Sequence, residues 1–164
     1  MQGHGALKKR TSMAITLAQA IRNAIAAEQA ADKFYLSMAG SARDEEVRRV
    51  LVGIAAQEQE HATRLEAMAT ALVQGDLPGS ADALVNVIEI SPAGAKAARM
   101  DMQQALEFAL EAENSAVLYY DALASSCTGD ASAFFAMVGK QEETHATAIR
   151  EILSRRGLDQ RPIP

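Results

Sequence analysis

The strongest constraint on this chain is a short phrase that it carries twice. One copy is Gln57-Glu58-Gln59-Glu60-His61-Ala62-Thr63, and the other is Gln141-Glu142-Glu143-Thr144-His145-Ala146-Thr147. Each holds Glu-x-x-His inside an apolar stripe of helical period. Residues three apart on a helix share a face, so each copy offers a carboxylate and an imidazole to one point. Upstream of each copy a lone Glu lies in another apolar stripe, Glu28 before the first and Glu113 before the second. Glu60 and Glu66 fall off the stripe and read as solvated side chains.

Taken singly, each of these residues has an ordinary structural reading, because one buried Glu or His is more often satisfied by hydrogen bonds than by a metal. The joint pattern is different. Four carboxylates and two imidazoles share one level of four helices, and no Lys or Arg lies on those stripes near that level. Four unpaired buried carboxylates are prohibitively costly. Two divalent cations balance four negative charges, with neutral imidazoles completing the shells. The expected metal ligands are therefore Glu28, Glu58, His61, Glu113, Glu142 and His145.

The remaining sequence supports a helical protein. The 164 residues are rich in Ala, Leu and Met, with no Trp and four Pro, which favours an all-α fold of one domain spanning 1–164. A net charge of −5 argues against a nucleic-acid surface. No apolar run approaches the roughly 20 residues of a membrane span. Lys8-Lys9-Arg10 before Met13–Leu17 faintly imitates a leader, but Gln19 and Arg22 interrupt the run. The single Cys127 excludes an internal disulfide and fits a reducing compartment, and a cytoplasmic location is expected.

In chain order, residues 1–10, with His4, read as a loose polar arm. A first helix is expected from Thr11 or Ser12 to Gly40, with Leu17, Ile21, Glu28 and Tyr35 on its inner face. A second starts after Ser41, whose Ser-Ala-Arg-Asp resembles a capping box, and ends near Gly75. A linker over 76–96 carries turn chemistry at Asp76–Gly79 and a break at Ser91–Gly94; its apolar stretch 83–90 should lie against the bundle. A third helix is expected from about Ala97 to Ser125. A fourth is expected from Thr128–Asp130 to Arg155-Arg156-Gly157, followed by a short tail. Met38, Met68 and Met102 read as core filler.

The two halves, about 12–75 and 97–156, repeat one unit. Glu28 is followed by Tyr35 and Ala39, and Glu113 by Tyr120 and Ala124, at the same distances. Two hairpins in one register imply a pseudo-two-fold. The second helix must then run parallel to the third, and the linker becomes a long crossover along a bundle roughly 40–45 Å in length. Tyr35 and Tyr120 lie two turns from the glutamates on the same stripes. Their hydroxyls could reach metal-bound carboxylates or find partners elsewhere in the core.

One Glu from each of two helices plus Glu-x-x-His from the other two is the arrangement of ferritin-like dimetal proteins. Across residues 12–156 the chain resembles the rubrerythrin branch of that superfamily, at Glu28 in Ala-Glu-Gln-Ala-Ala-Asp-Lys-Phe-Tyr, Glu58-x-x-His61, Glu113 in Ala-Glu-Asn-Ser-Ala-Val-Leu-Tyr-Tyr, and Glu142-x-x-His145. The resemblance implies a ferritin-like antiparallel four-helix bundle with one long crossover. It also implies that Glu58 and Glu142 bridge two metals, with Glu28, Glu113, His61 and His145 as terminal ligands. Two iron ions are the expected cofactor, and manganese or zinc also suit such donors.

The activity implied is a di-iron oxidoreductase that reduces hydrogen peroxide or dioxygen with an external electron donor, in a homodimer. Two departures qualify it. Rubrerythrins proper carry a rubredoxin-like iron site built on paired Cys-x-x-Cys, and this chain has one Cys. They also carry a further Glu three residues after the third-helix ligand, where this chain has Ala116. Both leave room for other readings: a ferroxidase that stores or delivers iron, or a zinc-bound or metal-free interaction module.

Overall fold

The computed structural model describes residues 12–75, 81–88 and 100–159. The expected arm at 1–10 with His4, the turn Asp76–Gly79, the break Ser91–Gly94 and the tail from 160 lie outside the described residues. The elements are β1 (Ser12–Thr16), α1 (Leu17–Ser41), α2 (Glu45–Gln74), β2 (Leu84–Ile88), α3 (Met102–Ser126) and α4 (Gly129–Asp159). The fold is mostly helical, with α1 packed on α2 and α3 on α4.

Local chemistry sets the boundaries, and several differ from the expectation. The first helix starts at Leu17 rather than Ser12, because Thr16 caps it by accepting from the Gln19 N–H. Helix α1 runs one residue past Gly40, through Ser41. The cap of α2 is therefore Asp44, whose Oδ1 accepts from the Glu46 and Val47 N–H groups. Helix α2 stops at Gly75, which takes a left-handed conformation (φ 79°) and donates its N–H back to the last turn. Helix α3 begins at Met102, later than expected. A capping box fixes it there: Asp101 accepts from the Gln104 N–H, and the Gln104 side chain accepts from the Asp101 N–H. Helix α4 continues through Gly157 to Asp159.

The addition to the all-helical expectation is a two-stranded antiparallel ribbon. Ser12 pairs with Ile88 and Thr16 with Leu84, so the start of the crossover is fastened to the segment that leads into α1. The ribbon alternates as a half-buried strand should: Val85 and Val87 are buried against the bundle while Leu84 faces out. The expected apolar stretch 83–90 thus does pack on the bundle, as a strand over its described part.

Cross-bundle hydrogen bonds fix the helix directions. Tyr35 on α1 reaches Glu113 on α3, and Tyr120 on α3 reaches Glu28 on α1. Higher numbers on one helix meet lower numbers on the other, so α1 and α3 are antiparallel. His61 with Gln141 and His145 with Gln57 make α2 and α4 antiparallel in the same way. With each hairpin also antiparallel, α2 runs parallel to α3, which is why the connection between α2 and α3 must be a long one.

The interior is divided by height. Leu17, Ile21, Leu72, Tyr119, Leu123 and Phe135 belong to one apolar cluster, at the end where α1 starts. Met38, Leu51, Ile54, Leu106, Ile149 and Ile152 belong to a second, at the opposite end. Between the two lies a layer of buried charge.

Candidate metal centre

The helix register carries the six residues to that layer. Helix α1 ends thirteen residues after Glu28 and α3 thirteen after Glu113; α2 begins thirteen before Glu58 and α4 thirteen before Glu142. The one-residue difference between the halves is absorbed in the turns, 42–44 in the first hairpin and 127–128 in the second. Each hairpin therefore delivers its carboxylates and imidazole to the same height.

All six residues expected from sequence are brought together, each between 1% and 4% exposed. They fall into two overlapping sets. Glu28, Glu58, His61 and Glu142 form one, and Glu58, Glu113, Glu142 and His145 the other; within each, one donor atom per residue lies within 4.8 Å of all the others. Glu58 and Glu142 belong to both sets. His61 Nδ1 is 3.0 Å from Glu142 Oε1, 3.2 Å from Glu58 and 3.4 Å from Glu28. His145 Nδ1 is 3.1 Å from Glu58, 3.4 Å from Glu142 and 3.8 Å from Glu113. The two rings are stacked with centroids 6.1 Å apart.

Electrostatics at this layer are those of a cluster in need of positive charge. Among the described residues no Lys or Arg pairs with any of the four glutamates. Burial pushes the Glu28 and Glu113 carboxyls well above the usual range, opposed by His61 and His145 respectively. Burial disfavours charge on both imidazoles too, yet the surrounding carboxylates outweigh it and hold each at about 12. Glu142 is desolvated as well, but the adjacent imidazoles of His145 and His61 draw it down to about 2. Protons on the histidines thus supply part of the charge that cations would supply.

The donor set fits metal ions on a further observation. Glu58 Oε1, Glu142 Oε1 and His145 Nδ1 are buried without a hydrogen-bond partner, although carboxylate and imidazole atoms crowd together at ionic distances. Such atoms ordinarily find partners. Atoms that converge without pairing suit shared cations, and mixed oxygen and nitrogen donors suit iron, manganese or zinc.

Tyr35 and Tyr120, both almost fully buried, donate to Glu113 and Glu28 respectively. Each tyrosine serves the glutamate of the opposite helix, and burial followed by the adjacent carboxylate keeps each phenol protonated. Sequence reasoning passed over Gln57 and Gln141. Their amide oxygens lie 2.6 Å from His145 Nε2 and 2.9 Å from His61 Nε2. The signal was present, since each repeat of the phrase begins with Gln, but neither residue sits on the inward stripe. Ala116 is buried beside the layer with no donor to offer. Cys127 caps the end of α3, half-buried and remote in sequence from the cluster.

The Rubrerythrin family model matches residues 19–93. Over that stretch the chain resembles the rubrerythrin family. That match covers Glu28, Glu58 and His61, and the internal two-fold relates them to Glu113, Glu142 and His145. No curated protein matches the chain. Among solved structures, a protein from Thermotoga maritima described as ferritin-like diiron-carboxylate superposes with a TM-score of 0.72. It shares 17% identity over 85% of this chain and 95% of its own, a likeness that establishes the ferritin-like fold. The chain thus holds a buried carboxylate and histidine site suited to two metal ions, and no helix among its described residues is long and apolar enough to cross a membrane.

Proposed function

We propose that this protein is a non-haem di-iron oxidoreductase that reduces hydrogen peroxide or dioxygen. The observation that carries the reading is the pair of four-residue sets that share Glu58 and Glu142 in a layer closed above and below by apolar core. Glu58 and Glu142 would bridge the two ions. Glu28 and His61 would complete one shell, and Glu113 and His145 the other. Two ferrous ions, when bound, supply the two electrons that reduction of peroxide to water requires.

The chain's own residues do the rest. The carboxylates balance the charge of the ions, the apolar clusters exclude bulk water, and Tyr35 and Tyr120 hold the terminal glutamates by hydrogen bonds. An external donor would return the electrons. We further read residues 1–164 as one domain, acting as a cytoplasmic homodimer. Buried Ala116 favours a second reading as a ferroxidase, because no seventh carboxylate stands at that position.

Anaerobic loading with ferrous iron, followed by parallel exposure to oxygen and peroxide, tests the proposal. Two irons per chain and faster oxidation by peroxide are expected; faster oxidation by oxygen supports the ferroxidase reading. Fewer than two irons, or iron that stays ferrous with both oxidants, would overturn the redox assignment. Size-exclusion chromatography distinguishes a dimer from a storage shell.

A further inference from the structure

We propose that Gln57 and Gln141 are positioning residues, each fixing the imidazole of the opposite phrase so that its Nδ1 faces the metal layer. The inference rests on the dimetal reading and assigns work to residues outside the ligand set. Gln57 is exposed and Gln141 half-buried, yet each turns its amide oxygen inward onto a buried ring. Holding a long exposed side chain in one inward conformation costs rotamer entropy, so the contact must return more than that cost.

The chemistry of the amide decides the consequence. An amide oxygen only accepts. The ring nitrogen it meets must therefore carry hydrogen, and Nε2–H of each histidine donates to a glutamine. A neutral ring then has its lone pair on Nδ1, the atom that lies 3.0 Å from Glu142 Oε1 in His61 and 3.1 Å from Glu58 Oε1 in His145. The reverse amide orientation would place hydrogen on Nδ1 and block a metal there, so the two orientations make opposite predictions.

The pairing is crossed. Because α2 and α4 are antiparallel, Gln57 does not serve His61, one turn along its own helix, but His145. Gln141 serves His61. Each seven-residue phrase then contributes to both metal positions: a shared glutamate, a histidine for one ion, and the glutamine that aligns the histidine of the other. A substitution on one helix should be felt at the imidazole of its partner.

The test uses the full chain loaded with zinc, which is diamagnetic, in wild type, Gln141→Leu, Gln141→Glu and Gln57→Leu. Chelator competition reads zinc affinity and stoichiometry. Two-bond proton–nitrogen correlation spectra of the histidine rings read which nitrogen carries hydrogen and which binds metal. Expected for the wild type are two zinc ions, with Nε2–H and metal-bound Nδ1 on both His61 and His145.

Leucine is of similar size to glutamine but carries no acceptor. Gln141→Leu should weaken one zinc by about ten- to a hundredfold and speed solvent exchange of the His61 Nε2–H, with the His145 signals unchanged. Gln57→Leu should do the mirror image, and Gln141→Glu, which retains an acceptor, should restore affinity and the His61 signature. Unchanged affinity in both leucine variants, loss at the histidine on the substituted helix, Nδ1–H in the wild type, or equal loss in Gln141→Glu and Gln141→Leu would each overturn the inference. A wild type that binds fewer than two zinc ions would instead overturn the dimetal reading, and this inference with it.

Discussion

Glu142 stands between the two imidazoles, 3.0 Å from His61 Nδ1 and 3.4 Å from His145 Nδ1, and belongs to both donor sets. Its removal should therefore be felt at both ions rather than one. Glu142→Ala is expected to lose at least one metal per chain, measured by metal analysis after loading; full retention would contradict a bridging role. The convergence of these six residues was legible in sequence because burial of four carboxylates on helical stripes has few other physical solutions. Gln57 and Gln141 were not, because the inward-facing rule selects side chains by helix face, and a long amide can act inward from the rim. Tyr35 and Tyr120 lay in between. Their stripe positions were readable, but a hydroxyl's partner depends on how two helices register, which periodicity does not specify.

At the scale of elements, the periodic stripes specified four helices and their pairing, while the ends depended on competition among neighbouring caps. Ser41 and Asp44 both stand before an apolar helix, and either could start α2. Asp44 prevails because α1 continues through Ser41, whose hydroxyl bonds back to Ser37 O inside that helix. Asp44→Ala should thus cost about 1 kcal/mol of stability, read from denaturant unfolding, whereas Ser41→Ala should change it by no more than about 0.5 kcal/mol; the reverse order would show that Ser41 is the effective cap. The ribbon was hidden for another reason. Ser12–Thr16 is too short to declare a period, and it is a strand only because Leu84–Ile88, about seventy residues on, supplies its hydrogen bonds.

Over the whole molecule, the carboxylate and histidine layer is held between two apolar clusters and, among the described residues, is the one place where their packing is interrupted by buried charge. Its protonation couples to folding with a definite sign. Glu142, drawn down to about 2, contributes stability above the unfolded carboxylate value that is lost as pH falls toward 2. His61 and His145, held at about 12, contribute stability present below about 6.5 and lost as pH rises toward 12. The raised Glu28 and Glu113 also make the folded, metal-free chain bind more protons than the unfolded one above about 4.5. Without metal, stability should therefore decline from about pH 5 upward. Metal competes with those protons and binds more tightly as pH rises. The gain in melting temperature on metal loading should accordingly be larger at about pH 8 than at about pH 5, measured by differential scanning calorimetry on chelated and loaded protein. An equal gain at both would mean that the ions displace no protons.

The crossed hydrogen bonds of Tyr35, Tyr120, Gln57 and Gln141 have one more consequence. No residue of either hairpin completes its own shell: three donors of each set come from one hairpin and the fourth from the other. Two identical copies of either hairpin, on separate chains, would present the same donors and the same reciprocal bonds. A functional ancestor could thus have been half this length and self-assembling, with tandem duplication needing only a connecting segment. The halves already differ at Phe34 and Tyr119, equivalent positions with different chemistry, where Tyr119 adds a bond across the halves by donating its hydroxyl to Ala20 O.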